Sequence, residues 1–162
     1  MATALFTGPA IVAVGAPGDV DTTQRNPFGL IAWGVDTSGM VAAYIYLKGV
    51  ASTIVGSVVT YDEAAVTALI AADAVGPVAI AVGITDVATE YGWYGIHGTF
   101  LTDVVANCAD NAEIGRETTD GKVGDGQAAG DTIYGAVSRA ATTTAAVSLC
   151  QFTFPSVNDK SA

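Results

Sequence analysis

Histidine occurs once in this chain, at His97, and cysteine only at Cys108 and Cys150. A zinc site needs three or four nitrogen, sulfur or carboxylate ligands, so one histidine and two remote cysteines are a poor supply. A Ser-His-Asp or Cys-His arrangement would have to be built around His97, yet no GxSxG elbow is present and no local pattern positions a base. The expectation is that His97 sits beside Trp93 on a strand face, bonded to backbone or water. Cations are also scarce: Arg25, Lys48, Arg116, Lys122, Arg139 and Lys160 stand singly against sixteen acidic residues, for a net charge of −10. Nucleic acid and anionic membranes recruit clustered cations, so both are disfavoured as partners. No apolar run of about 18 residues is free of helix breakers, which argues against a transmembrane helix. The uncharged opening, Met1 to Gly18, lacks a basic leader and is broken by Gly8, Pro9, Gly15 and Pro17, so it reads as neither secretory signal nor span.

Other chemistries find weak footing. Asp19 with Asp21, or Asp120 with Asp125 and Asp131, could converge on calcium, but neither group has EF-hand spacing. Gly121-Lys-Val-Gly-Asp-Gly126 lacks the order of a phosphate loop and reads as a turn. Glu63, Glu90, Glu113 and Glu117 could supply a glycosidase pair only if the fold brought two together, and the aromatic platform would be limited to Trp33 and Trp93. The sequence therefore assigns no catalytic residue, no metal and no cofactor.

Apolar residues are abundant: 51% of the chain is hydrophobic and only 14% charged, against about 25% charged for an average soluble domain. So little charge points to burial of apolar surface in an oligomer or against a larger partner. The length suits one domain with a core of its own. Cys108 and Cys150, in apolar strand-like sequence, read as buried free thiols, with a disulfide as the alternative.

Short β-branched and aromatic runs separated by turn signals predict an all-β fold, a small antiparallel β-barrel or β-sandwich. Leu30 to Lys48 reads as a hairpin turning at Asp36-Thr-Ser-Gly39. Gly56 to Tyr61 reads as a strand, followed by one short helix capped by Asp62-Glu63 with Ala65, Val66, Leu69 and Ile70 on its stripe. Val78 to Thr85 and Tyr91 to Phe100 read as neighbouring strands. Further segments are expected at 104–106, 113–116, 132–138 and 145–154, the last ended by Pro155. Alternation places Tyr91, Trp93 and His97 on one face of their strand and Tyr94, Ile96 and Phe100 on the other. Gly92, Gly95 and Gly98 mark bends or close approaches in a strand covered on both sides, with Trp93, Tyr94 and Ile96 as candidate core. Residues 1–29 read as an extended N-terminal arm or, alternatively, as the first strand of the sheet; 30–155 form the domain, and 156–162 a polar C-terminal tail.

The succession Asn26-Pro-Phe-Gly29, Tyr44-Ile-Tyr-Leu-Lys-Gly-Val50, Gly56-Ser-Val-Val-Thr-Tyr-Asp62 and Tyr91-Gly-Trp-Tyr-Gly-Ile-His-Gly98 resembles the capsid decoration, or cement, proteins of tailed bacteriophages. The resemblance spans about residues 24 to 155. It implies a β-tulip-like barrel and a noncatalytic virion protein, a homotrimer bound to the major capsid protein on the outer capsid surface. The acidic charge agrees with an outer position, away from packaged nucleic acid. Candidate capsid or subunit contacts are the apolar residues of the arm: Leu5, Phe6, Ile11, Val12, Val14 and Phe28. The competing function is a carbohydrate-binding or host-attachment module, which an exposed cluster of Trp and Tyr would favour.

Overall fold

The structure, a computed structural model, describes residues 13–126 and 132–158. Eleven strands among these residues join in one sheet. In chain order they are β1 (Val20–Asp21), β2 (Ile31–Val35), β3 (Val41–Lys48), β4 (Val58–Tyr61), β5 (Thr67–Leu69) and β6 (Gly76–Ala81). They continue as β7 (Tyr91–Val104), β8 (Glu113–Arg116), β9 (Val123–Gly124), β10 (Thr132–Ser138) and β11 (Ala146–Val157). The long strand β7 is the hub. Along one edge it pairs with β3 and then β9, and along the other with β1, β6 and β11. Pairing runs from β7 through β9, β8, β10 and β11 back to β7. The contact of β7 with β9 is a single residue pair, Val104 with Val123, so the sheet is a partly closed wrap and not a clean barrel.

Two apolar clusters lie on opposite faces of β7. The larger gathers Tyr44, Tyr46, Trp93, Phe100, Cys150 and Phe152, among others, in the interior of the wrap. The smaller holds Ala43, Ile45, Leu47, Tyr94 and Ile96. Trp93 is 4% exposed, and Tyr94 and Ile96 are equally buried. The expected alternation holds only as far as Gly95. Tyr44 pairs with Gly95 and Ala43 with His97, so Ile96 is an extra residue, a β-bulge that turns Ile96 and His97 to the same side. Beyond it the parity is reversed: His97 leaves Trp93's face, and Phe100 joins Trp93 instead of Tyr94 and Ile96. Gly95 makes room for this, because a Cβ there would lie 2.5 Å from the Phe100 ring.

The predicted hairpin is β2 and β3 around Asp36–Gly39, and β6 pairs with β7 as expected through Ile80–Gly95 and Ala81–Tyr94. The expected helix after Tyr61 does not form; no helix occurs among the described residues. Asp62 accepts the N–H groups of Ala64 and Val66, as a helix cap would, but Ala65 takes a φ of 59° and the chain passes into β5 against β4. With β-branched Val66 and Thr67 next, a sheet edge offers more than one isolated helical turn. β11 also runs through Pro155 to Val157, so the start of the expected tail is strand.

The arm reading needs correction over residues 13–29, which fold onto the domain. β1 pairs with Tyr91 and Gly92 of β7. Asn26 is buried and bonds Val14 twice, accepting from its N–H at 2.8 Å and donating to its carbonyl at 2.9 Å. The Trp93 indole N–H reaches the same carbonyl. Asp21 accepts from the Tyr46 hydroxyl at 2.7 Å and pairs with Arg25 at 3.1 Å.

Two outcomes follow from this packing. Trp93→Ala should lower stability by about 3 to 5 kcal/mol, measured by denaturant unfolding, as expected for a large buried ring removed from a core that cannot fully collapse. Removal of residues 1–18 strips the buried Asn26 of both its backbone partners, so the shortened chain should unfold at clearly lower denaturant than the parent. An unchanged midpoint would show that the Val14–Asn26 pairing contributes nothing.

Candidate docking surface

The β2–β3 hairpin is organised by one carboxylate. Asp36 opens the turn, and its Oδ1 accepts the N–H groups of Ser38 and Met40 while Oδ2 accepts that of Thr99 on β7. The Thr37 hydroxyl adds a bond to the Thr99 carbonyl at 3.0 Å. An Asp at the first turn position with Gly39 at the last is the chemistry of such a turn, and Gly39 takes a φ of 78° that suits glycine. The hairpin tip is thus tied to the hub strand.

On this scaffold the apolar side chains point outward. Trp33 is 63% exposed and Val41 64%, with Ile31, Val35 and Met40 similarly open. Ile31, Trp33 and Val35 fall on one face of β2, opposite Ile45, Ala43 and Val41. Ala43 is only a methyl, so the Trp33 ring reaches across it to His97, centroid to centroid 6.1 Å at an interplanar angle of 62°. Phe154, 53% exposed, stacks on His97 at 5.3 Å and meets Trp33 edge-on at 6.5 Å. The three rings form a corner in the surface.

Phe154 owes its position to a break in β11. Cys150 and Phe152 point inward, and strict alternation would send Phe154 the same way. Instead Tyr134 pairs with Ser156 and Ala136 with Phe152, so Gly135 alone faces Thr153, Phe154 and Pro155. Phe154 takes a φ of 45° and turns outward. A Cβ on Gly135 would lie 2.6 Å from the Thr153 carbonyl oxygen, so this crowding requires glycine.

The sequence-based contact candidates fare unevenly. Leu5, Phe6, Ile11 and Val12 lie outside the described residues. Val14 is partly exposed but committed through its backbone to Asn26 and Trp93. Phe28 is partly buried: its ring packs against Tyr46 and Tyr91, and the Lys48 ammonium lies 4.9 Å from its centroid. Trp33 entered the sequence reading only as half of a limited aromatic platform with Trp93 and not as a contact candidate, although the turn residues after it locate its hairpin. Phe154 was not visible, because the bulge that turns it outward depends on the pairing of β10 with β11.

Among the described residues the titratable groups that the sequence offered for chemistry are held in separate local contacts. His97 is hemmed between two rings, and its Nδ1 is buried without a partner. Cys108 and Cys150 are free and buried; burial pushes the Cys150 thiol up to about 12 and raises that of Cys108, which keeps both protonated at neutral pH. Among the described residues no three His, Cys, Asp or Glu side chains gather as metal ligands. Asp19 and Asp21 instead bond Ala16 and Tyr46, and Asp125 accepts from the Ala109 N–H.

Burial alone would raise the Asp36 pKa, but the N–H groups of Thr99, Met40 and Ser38 outweigh it and hold the carboxyl below its ordinary value of 3.8. A depressed carboxylate contributes stability that is present above its unfolded-state pKa and lost as pH falls through the folded-state value. Asp36→Asn should therefore cost about 1 to 3 kcal/mol at pH 7. The gap to the parent should narrow below pH 3.8, as read by unfolding at both pH values.

Comparison of the chain with protein-family models, with curated proteins and with solved structures gives no match in any of the three.

Proposed function

We propose that this chain is a noncatalytic structural protein of a tailed-phage virion that docks on the outer capsid surface and bridges major capsid protein subunits. The observation that carries this reading is the apolar surface of the β2–β3 hairpin, where Trp33, Val35, Met40 and Val41 stand exposed on a rigidly anchored turn. A contiguous apolar patch of this kind marks an interaction site on an otherwise acidic protein. Support also comes from the sequence resemblance to capsid decoration proteins and from the net charge of −10, which suits a surface remote from nucleic acid.

The mechanism is linkage. A protein that binds the assembled lattice and not its dissociated subunits shifts the equilibrium toward intact shells. A stable contact of this sort buries about 1,000 Å² or more, and many copies multiply a modest individual gain. The homotrimer implied by the resemblance would present the hairpin three times in one docking event.

A second reading, a carbohydrate-binding or host-attachment module, is favoured by the corner of Trp33, His97 and Phe154, since exposed rings can receive the apolar face of a sugar. One variant separates the two. Trp33→Asp should melt close to the parent, because the side chain is mostly in solvent, and should lower occupancy on undecorated shells at least about ten-fold, the effect of losing a central aromatic anchor. Unchanged occupancy would reject docking through this face, and loss of glycan binding with shell binding intact would establish the second reading.

A further inference from the structure

The outer face of the sheet carries a second apolar area, on β7 and β11. Phe100 and Val104 of β7 and Cys150 and Phe152 of β11 turn into the core, so the residues that alternate with them turn outward. The ladder sets Leu101 beside Leu149 and Asp103 beside Val147. Leu101 is 41% exposed and Val147 45%, and Leu149 is partly exposed. The next two strands extend the face, with Val137 of β10 paired to Gln151 on one side and to Glu113 of β8 on the other.

This area is charge-balanced on a chain whose net charge is −10. Asp103 pairs with Lys122 at 2.9 Å. Arg139, whose N–H bonds the Leu149 carbonyl, extends its guanidinium to Gln151 Oε1 at 2.6 and 2.8 Å and to Asn111 Oδ1 at 2.6 Å. Both acceptors are neutral amides, so they fix the guanidinium in position and leave its charge to act on a further carboxylate. Glu113 stands exposed on the neighbouring strand. A cation and a carboxylate thus border the apolar residues on the same side. We propose that a second copy of this chain docks on this face, with Leu101, Val147 and Leu149 packed against the same face of the copy and Arg139 of each chain paired with Glu113 of the other.

Charge selects this occupant. Two copies of an acidic chain repel each other over most of their surfaces, and they can meet only where charge is balanced. A twofold contact further requires a surface complementary to itself, residue i meeting j and j meeting i. One patch that holds both a cation and a carboxylate satisfies this, whereas a foreign partner would gain from only one sign at a time. Sheets pack face to face at about 10 Å, a gap that leucine and valine fill and that arginine and glutamate reach across. With its guanidinium already held by two amides, Arg139 gives up little freedom on pairing. The resulting dimer differs from the trimer that the sequence resemblance implies, and it concerns the free chain, so it stands or falls apart from the shell reading.

Sedimentation of the full chain tests it. Over about 1 to 100 μM, the range in which a contact of modest area associates, the mass should rise from 16.3 kDa toward twice that value. Arg139→Glu and Glu113→Arg should each weaken association at least about ten-fold, the scale of a close charge pair turned repulsive. Mixed in equal amounts, the two variants should associate again, because each then supplies the charge that the other lost. Val147→Asp, which leaves the Arg139 bonds in place, should weaken association as well and serves if either charge variant fails to fold. A parent that stays monomeric throughout this range would overturn the proposal, as would a mass settling at three copies. Association that survives the substitutions, or variants that do not recover on mixing, would overturn it too by placing the contact elsewhere.

Discussion

Strand β7 buries both of its faces and pairs along both of its edges, and the rest of the sheet is arranged to allow it. A strand in that position has no free side for bulky residues at every step. Gly92, Gly95 and Gly98 relieve the crowding: a Cβ at Gly92 would meet the Thr85 side chain at 2.8 Å, and one at Gly98 would meet Ala42 at 2.9 Å. The bulge at Ile96 then shifts the strand's parity, so that Trp93 and Phe100 share one core while Tyr94 and Ile96 fill the other. His97 is displaced to the outer side by the same step. The position of the aromatic corner is thus a by-product of how β7 solves its packing.

That dependence decides how much was legible in the sequence. The Asp36–Gly39 turn, the segments 113–116 and 132–138, and the neighbouring pair β6 and β7 follow from local turn chemistry and β-branched runs, which need no knowledge of partners. The faces of β7 beyond Gly95 do not, because a bulge is set by the register against β3. The expected helix failed for a similar reason: the cap at Asp62 is present, but β4 offers Thr67–Leu69 a ladder that one helical turn cannot match. Phe154 was hidden by Gly135, which lies 19 positions away in sequence and directly across the ladder. Burial of Trp93 was readable from the density of aromatic and glycine residues around it. The docking of residues 13–29 stood in the sequence only as the alternative to an arm, since it rests on single polar contacts such as Asn26 with Val14 that carry no periodic signal.

Charge and apolar surface divide the molecule into regions suited to different surroundings. The β2–β3 hairpin has no lysine, arginine or glutamate between Ile31 and Leu47, and its one acidic group, Asp36, is occupied within its own turn. Much of the acidity lies elsewhere, at Asp62, Glu63, Asp73, Asp86, Asp110 and Asp120. An apolar face on an acidic body favours docking on one side while repelling non-specific contact on the others.

The central claim is that the hairpin face is the surface this protein buries in its assembly. A density map of decorated shells at side-chain resolution tests it most directly. The account predicts Trp33, Val41 and Phe154 packed against capsid subunits, with Asp62, Asp86 and Asp110 turned to solvent. A map in which Trp33 and Val41 face solvent while another surface meets the capsid would contradict it.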